Sequence, residues 1–139
     1  MAGVRTEWVA YESDGATISA YLALPDRDGQ WPGVVLVHEG SGLSEHRQDV
    51  ARVLASEGYA VMAPNLFSRI GGRPPRAGTE LERHQEIGVA LRDEQVAQDL
   101  TAGHEYLCSR SETLVKKVGL IGFHMGGSKA LFTACVTRR

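Results

Sequence analysis

The stretch Val118-Gly119-Leu120-Ile121-Gly122-Phe123-His124-Met125-Gly126-Gly127 decides how this chain is read. An apolar run of strand type meets a tight turn with a glycine two before and two after its central residue. A helix-compatible segment, Ser128 to Thr137, follows. That is the layout of a nucleophile elbow, G-x-S-x-G. Such a turn is so tight that a side chain at either flank would collide with backbone, so the central residue projects alone above the sheet. Here the central residue is His124 rather than serine or cysteine, and 15 residues follow it.

Outward from the elbow, Val115 to Ile121 is the strand that enters it. Before it, Asp93 to Ser109 reads as a helix with Val96, Leu100, Gly103/His104 and Leu107 on one face. Leu81 to Leu91 is a further helical segment, weakened by Gly88. Ser68 to Gly78 is a surface loop by its glycines, prolines and arginines. Ala60 to Ala63 is a short buried strand ended by Pro64. His46 to Glu57 is an amphipathic helix with a stripe at Val50, Val53 and Leu54, stopped by Gly58. Gly33 to Val37 is a continuous apolar run, the mark of a strand buried on both faces. Glu7 to Glu12 and Ala16 to Leu24 form a hairpin whose turn is Asp14-Gly15.

The order is a hairpin and then strands alternating with helices. It predicts an α/β fold with a mostly parallel sheet and helices on both faces. Ligand chemistry in such sheets sits at the carboxyl ends of the strands. Three loops meet that requirement: Glu39 to Leu43, Asn65 to Arg69, and Phe123 to Gly126.

Composition excludes several classes. A length of 139 residues suits one domain, and 42% hydrophobic with 23% charged residues is ordinary for a globular protein. A net charge of −2 gives no electrostatic reason to expect nucleic acid or a membrane surface as partner. The cysteines, Cys108 and Cys135, make neither a disulfide framework nor a metal-site spacing. The first residues lack the apolar core of a signal peptide, and no run reaches membrane-spanning length. A cytoplasmic protein is expected, with no metal or organic cofactor. Gly122 to Lys129 approaches a phosphate-binding loop, G-x-x-x-x-G-K-[ST]. However, serine and lysine are exchanged, which turns the lysine about 100° around the helix and away from a phosphate.

With the three loops placed, the sequence resembles the dienelactone hydrolase family of α/β-hydrolases. The resemblance runs from about Glu7 to the last residue. It rests on Val37-His38-Glu39-Gly40, Ala55-Ser56-Glu57-Gly58-Tyr59, Ala63-Pro64-Asn65-Leu66-Phe67-Ser68-Arg69 and the elbow, in that order. It implies hydrolysis of small-molecule carboxylic esters or lactones through a Cys–His–Asp triad. It also implies a contact from Glu39 to the nucleophile, and an oxyanion hole from the backbone N–H groups of Gly40 and Met125. His38 is expected to be a packed, hydrogen-bonded residue rather than a base. The family holds its substrate carboxylate with arginines; of Arg69, Arg73, Arg76 and Arg83, we select Arg83.

Two departures qualify this. His124 occupies the nucleophile position, and the family's triad Asp and His lie after later strands, beyond residue 139. The remaining histidines, His46, His84 and His104, fall on helices. The expectation is therefore a single truncated α/β-hydrolase-like domain over residues 1–139, with its C-terminal strands missing. It should be inactive or weak as an esterase; the alternative is a non-catalytic domain that binds a small acid or a partner. The elbow strand, central in the family's sheet, should lie at an open apolar edge and favour self-association.

Overall fold

The computed structural model describes residues 3–137, with the backbone alone at 115 and 116. Strands β1 (Val4–Ser13) and β2 (Ala16–Pro25) pair antiparallel in unbroken register, from Val4 opposite Pro25 to Ser13 opposite Ala16. Their turn has φ of 43° at Asp14 and 78° at Gly15. Two successive positive values match the twist of a tight hairpin, and Asp-Gly is the pair that tolerates them.

The chain continues through β3 (Trp31–Val37), α1 (Glu45–Ser56), β4 (Ala60–Pro64) and a 3₁₀ turn at Ser68–Ile70. Helices α2 (Glu80–Ala90) and α3 (Asp93–Ser109), strand β5 (Thr113–Gly122) and helix α4 (Met125–Thr137) complete it. The sheet order is β1-β2-β4-β3-β5. β3 runs parallel to both its neighbours, β4 and β5, and β2 runs antiparallel to β1 and β4. The parallel part therefore carries the three expected loops at one end.

Each sheet face has its own core. On one, Ile18, Leu22, Val35, Val37 and Met62 pack with Val96, Leu100 and Leu107 of α3. On the other, Tyr21, Leu36 and Val61 pack with Ala51 and Ala55 of α1. Helices cover both faces, as the alternation predicts. The buried stripe of α1 differs from expectation: Val50, Ala51, Leu54 and Ala55 face the sheet, and Val53 is 45% exposed. Two alanines let the helix backbone come close, and Val53, two residues on from Ala51, lies about 200° around the helix. Helix α2 buries none of its residues. A reciprocal cap holds its start, with Thr79 and Glu82 bonding each other's backbone N–H.

Among the described residues β5 pairs only with β3, so its other edge is open. Leu120 and Ile121 on that strand, and Leu131 on α4, are exposed.

Candidate active site

The elbow forms as its glycines require. Strand β5 ends at Gly122, α4 starts at Met125, and His124 between them has φ 53°, a left-handed conformation. A Cβ at Gly122 would overlap the carbonyl of Gly126, and one at Gly126 would overlap the carbonyls of Val37 and His38. Backbone thus occupies the space on both flanks, and the exposed His124 ring is the side chain left to project. Phe123 N–H donates to the Val37 carbonyl at 3.1 Å, tying the elbow to the end of β3.

The loop after β3 supplies Glu39 and Gly40. The Glu39 carboxylate is gripped by Arg47 of α1: Nε at 2.9 and 3.2 Å, Nη2 at 2.7 Å. The Arg47 guanidinium also lies over the Phe123 ring, 3.9 Å from its centre. One arginine therefore braces the acidic loop against the elbow, by a forked ion pair on one side and a cation–π contact on the other. The Arg47 hydrogen bonds hold the Glu39 carboxyl below its ordinary range against the opposing effect of burial; Arg47 and His124 charge add to that. Sequence reading missed Arg47. It lies eight residues and a loop away, with no motif linking it to Glu39.

His38 is fully buried. Its Nε2 accepts from Leu66 N–H at 2.9 Å, so Nδ1 must carry the proton and donates it to the Glu39 carbonyl at 2.7 Å. Burial pushes its pKa down. Both ring nitrogens are engaged, and the ring joins the ends of β3 and β4 as a structural group.

An open cleft of about 800 Å³ has Glu39, Gly40, His124 and Met125 along one wall and α2 along the other. Among the described residues neither Gly40 N–H nor Met125 N–H donates to a protein acceptor. Arg83 lines the α2 wall, with Nη1 bonded to the Gly78 carbonyl at 2.5 Å. His84, read from sequence as a plain helix-face residue, also lines the cleft, on the same helix face as Glu80 and Gly88 four residues to either side. Arg69 is elsewhere, bound to Asp99. Lys129 gives its Nζ to the Leu91 carbonyl and to Asp93, at 2.5 and 2.6 Å. The lysine of the phosphate-loop pattern is thus spent on joining α4 to the α2–α3 junction. Cys108 lies on α3 and exposed Cys135 on α4, away from the turn, and burial pushes the Cys108 thiol up.

The model of the dienelactone hydrolase family matches residues 18–138. The chain belongs to that family. Among relatives of this dienelactone hydrolase family member, a Saccharolobus solfataricus protein bearing the provisional name carboxymethylenebutenolidase is 30% identical over 88% of this chain and 58% of its own length. A Synechocystis protein of the same provisional name is 31% identical over 89% of this chain and 51% of its own. A crystal structure from Klebsiella pneumoniae, provisionally titled a dienelactone hydrolase, superposes with a TM-score of 0.81 at 31% identity. It is matched over 90% of this chain and 52% of its own. The chain spans about half the length of the curated relatives it matches.

Proposed function

We propose that the cleft is an acyl-transfer site for small carboxylic esters or lactones, with His124 at the nucleophile position and Glu39 beside it. The N–H groups of Gly40 and Met125 would receive the oxyanion of the tetrahedral intermediate. The observation that carries this reading is the elbow itself. A non-glycine residue at φ 53° between two glycines with no room for a Cβ is a costly local structure, and such strain marks functional sites. The whole chain is proposed to be one truncated α/β-hydrolase domain, weak or inactive toward ordinary esters, because no thiol or hydroxyl occupies the elbow.

Amide NMR tests the site without relying on turnover. Titration with phenyl methylphosphonate, a tetrahedral monoanion, should move the Gly40 and Met125 amide signals together and saturably. Static signals at both would reject the site.

The second reading is a non-catalytic domain that binds a small acid. It is favoured by the cations on the cleft wall, Arg76 and Arg83. In either reading Arg83 anchors a carboxylate. Benzoate should then bind measurably, and Arg83→Ala should abolish the binding.

The proposed partners are small molecules rather than nucleic acid or membrane, and the proposed compartment is the cytoplasm. Among the described residues no helix is long and apolar enough to cross a membrane, and both cysteines are free thiols. Self-association through the outer edge of β5 belongs to the same proposal, supported by exposed Leu120, Ile121 and Leu131. Analytical ultracentrifugation at rising concentration should show a growing dimer; a single monomeric species throughout would remove it.

A further inference from the structure

A serine or cysteine at the elbow needs a base to take its proton before it can attack. A neutral imidazole does not, because the lone pair on its unprotonated ring nitrogen is already available. Attack by His124 therefore needs no triad base. What the imidazole does constrain is the leaving group. In a tetrahedral intermediate that holds both an imidazolium and an alkoxide-forming oxygen, the weaker base departs. An alkyl oxygen is far more basic than imidazole, so the imidazole is expelled and the ester survives. An aryl oxygen is a much weaker base and leaves instead.

We propose that the His124 elbow makes this site an imidazole-nucleophile esterase selective for aryl esters, resting on the acyl-transfer reading above. The ring nitrogen of His124 bonds to the acyl carbon, and the carbonyl electron pair moves to oxygen between the N–H groups of Gly40 and Met125. The oxyanion collapses, and the C–O bond breaks with its electron pair leaving on the aryloxide. The positive charge on the ring lies beside Glu39, whose carboxylate interacts favourably with the His124 charge. The forked bond from Arg47 keeps that carboxylate at the elbow. A water molecule attacks the acyl carbon of the acyl-imidazolium and gives up one proton, which passes through solvent to the departed aryloxide. The C–N bond then breaks with its pair returning to the ring, which leaves as neutral imidazole, and carboxylic acid is released. No oxidant or further reactant is required. An acyl-imidazole is far more reactive toward water than an acyl-serine or thioester, so the second step proceeds without a triad base.

The whole chain tests this with p-nitrophenyl, phenyl and ethyl acetates, beside His124→Ala and His124→Asn. Asparagine tolerates the left-handed backbone, so the second variant keeps the elbow if alanine disturbs it. The expected result is hydrolysis in the order p-nitrophenyl, phenyl, with ethyl acetate at the buffer rate. Both variants should fall to the buffer rate while keeping the wild-type circular dichroism. In heavy water the first release of p-nitrophenolate, before the acyl group is hydrolysed, should keep its rate. Retained activity in a folded variant would overturn the proposal, and so would ethyl acetate cleaved as fast as phenyl acetate. A slower first release of p-nitrophenolate in heavy water would also overturn it, by making the imidazole a base acting on water. If the wild type itself shows only the buffer rate with p-nitrophenyl acetate, the nucleophile proposal fails. A saturable phosphonate titration at Gly40 and Met125 would still leave the site standing.

Discussion

Two forked arginine–carboxylate pairs, Arg69–Asp99 and Arg47–Glu39, have the same chemistry and opposite surroundings. The Asp99 side chain is 4% exposed and that of Glu39 is 17% exposed. Around Asp99 the partners close in. Arg69 reaches both carboxylate oxygens, Ser13 Oγ donates at 2.6 Å, and Arg69 Nη2 also bonds the Ser13 carbonyl at 2.6 Å. Tyr11 Oη donates to the Asp99 carbonyl at 2.9 Å, directly over Gly103, where a Cβ would strike it. That network sews the hairpin, the turn after β4 and α3 together. Around Glu39 one arginine does the holding, and the remaining side looks into the cleft. A saturated, buried pair acts in cohesion; a pair left open on one side is free to act on a ligand or on His124. The number of unfilled directions, rather than the residue types, separates the two.

The largest expected break is on the cohesive side. Asp99→Ala leaves Arg69 and the Ser13 hydroxyl without their acceptor and should cost about 3–5 kcal/mol of unfolding free energy, read from urea melts. Gly126→Ala drives a methyl into the Val37 carbonyl. It should cost about 3 kcal/mol by the same melts, while Gly127→Ala, which meets only ordinary contacts, should be nearly neutral. His124→Gly should go the other way and stabilise the fold by about 1 kcal/mol, because it releases the left-handed strain at the elbow. Glu39→Gln should be the mildest, about 0.5–1 kcal/mol, since the amide oxygen can still accept one of the Arg47 hydrogen bonds. An Asp99→Ala cost no larger than that of Glu39→Gln would erase the distinction drawn here.

Acid sharpens the comparison further. His38 and Glu39 both have folded-state pKa values below their unfolded ones. In each case the unfolded chain takes up the proton first as pH falls, so stability declines on acidification. The His38 contribution is present above the ordinary histidine range and is lost below it; the Glu39 contribution is lost lower, below the ordinary carboxylate range. Melting temperature followed from neutral pH downward should fall in both windows, and Glu39→Gln should flatten only the lower one.

The elements were legible because each depends on its neighbours in sequence. Asp14-Gly15 announces the hairpin, the run from Gly33 to Val37 a doubly covered strand, and Val96, Leu100, Gly103 and Leu107 the buried face of α3, with its limits at Asp93 and Ser109. The elbow was legible for the same reason: two glycines at fixed spacing and a strand before them specify a turn that local backbone sterics enforce. Val53 was misplaced because a hydrophobic stripe does not reveal that two alanines bring α1 closer on a different angle.

The sequence by itself therefore determined the strand–turn–helix at His124, the hairpin, and the presence of Glu39 in a loop at a strand end, all set within a few residues by φ/ψ limits and periodicity. Only the tertiary structure decided that Arg47 binds Glu39 and covers Phe123, that Lys129 is committed to Leu91 and Asp93, that Arg69 serves Asp99, and that His84 shares the cleft with Arg83. A charged side chain spans several ångströms and can choose any opposite charge that folding brings within reach. Its partner is fixed by the packing of distant elements, which no local pattern encodes.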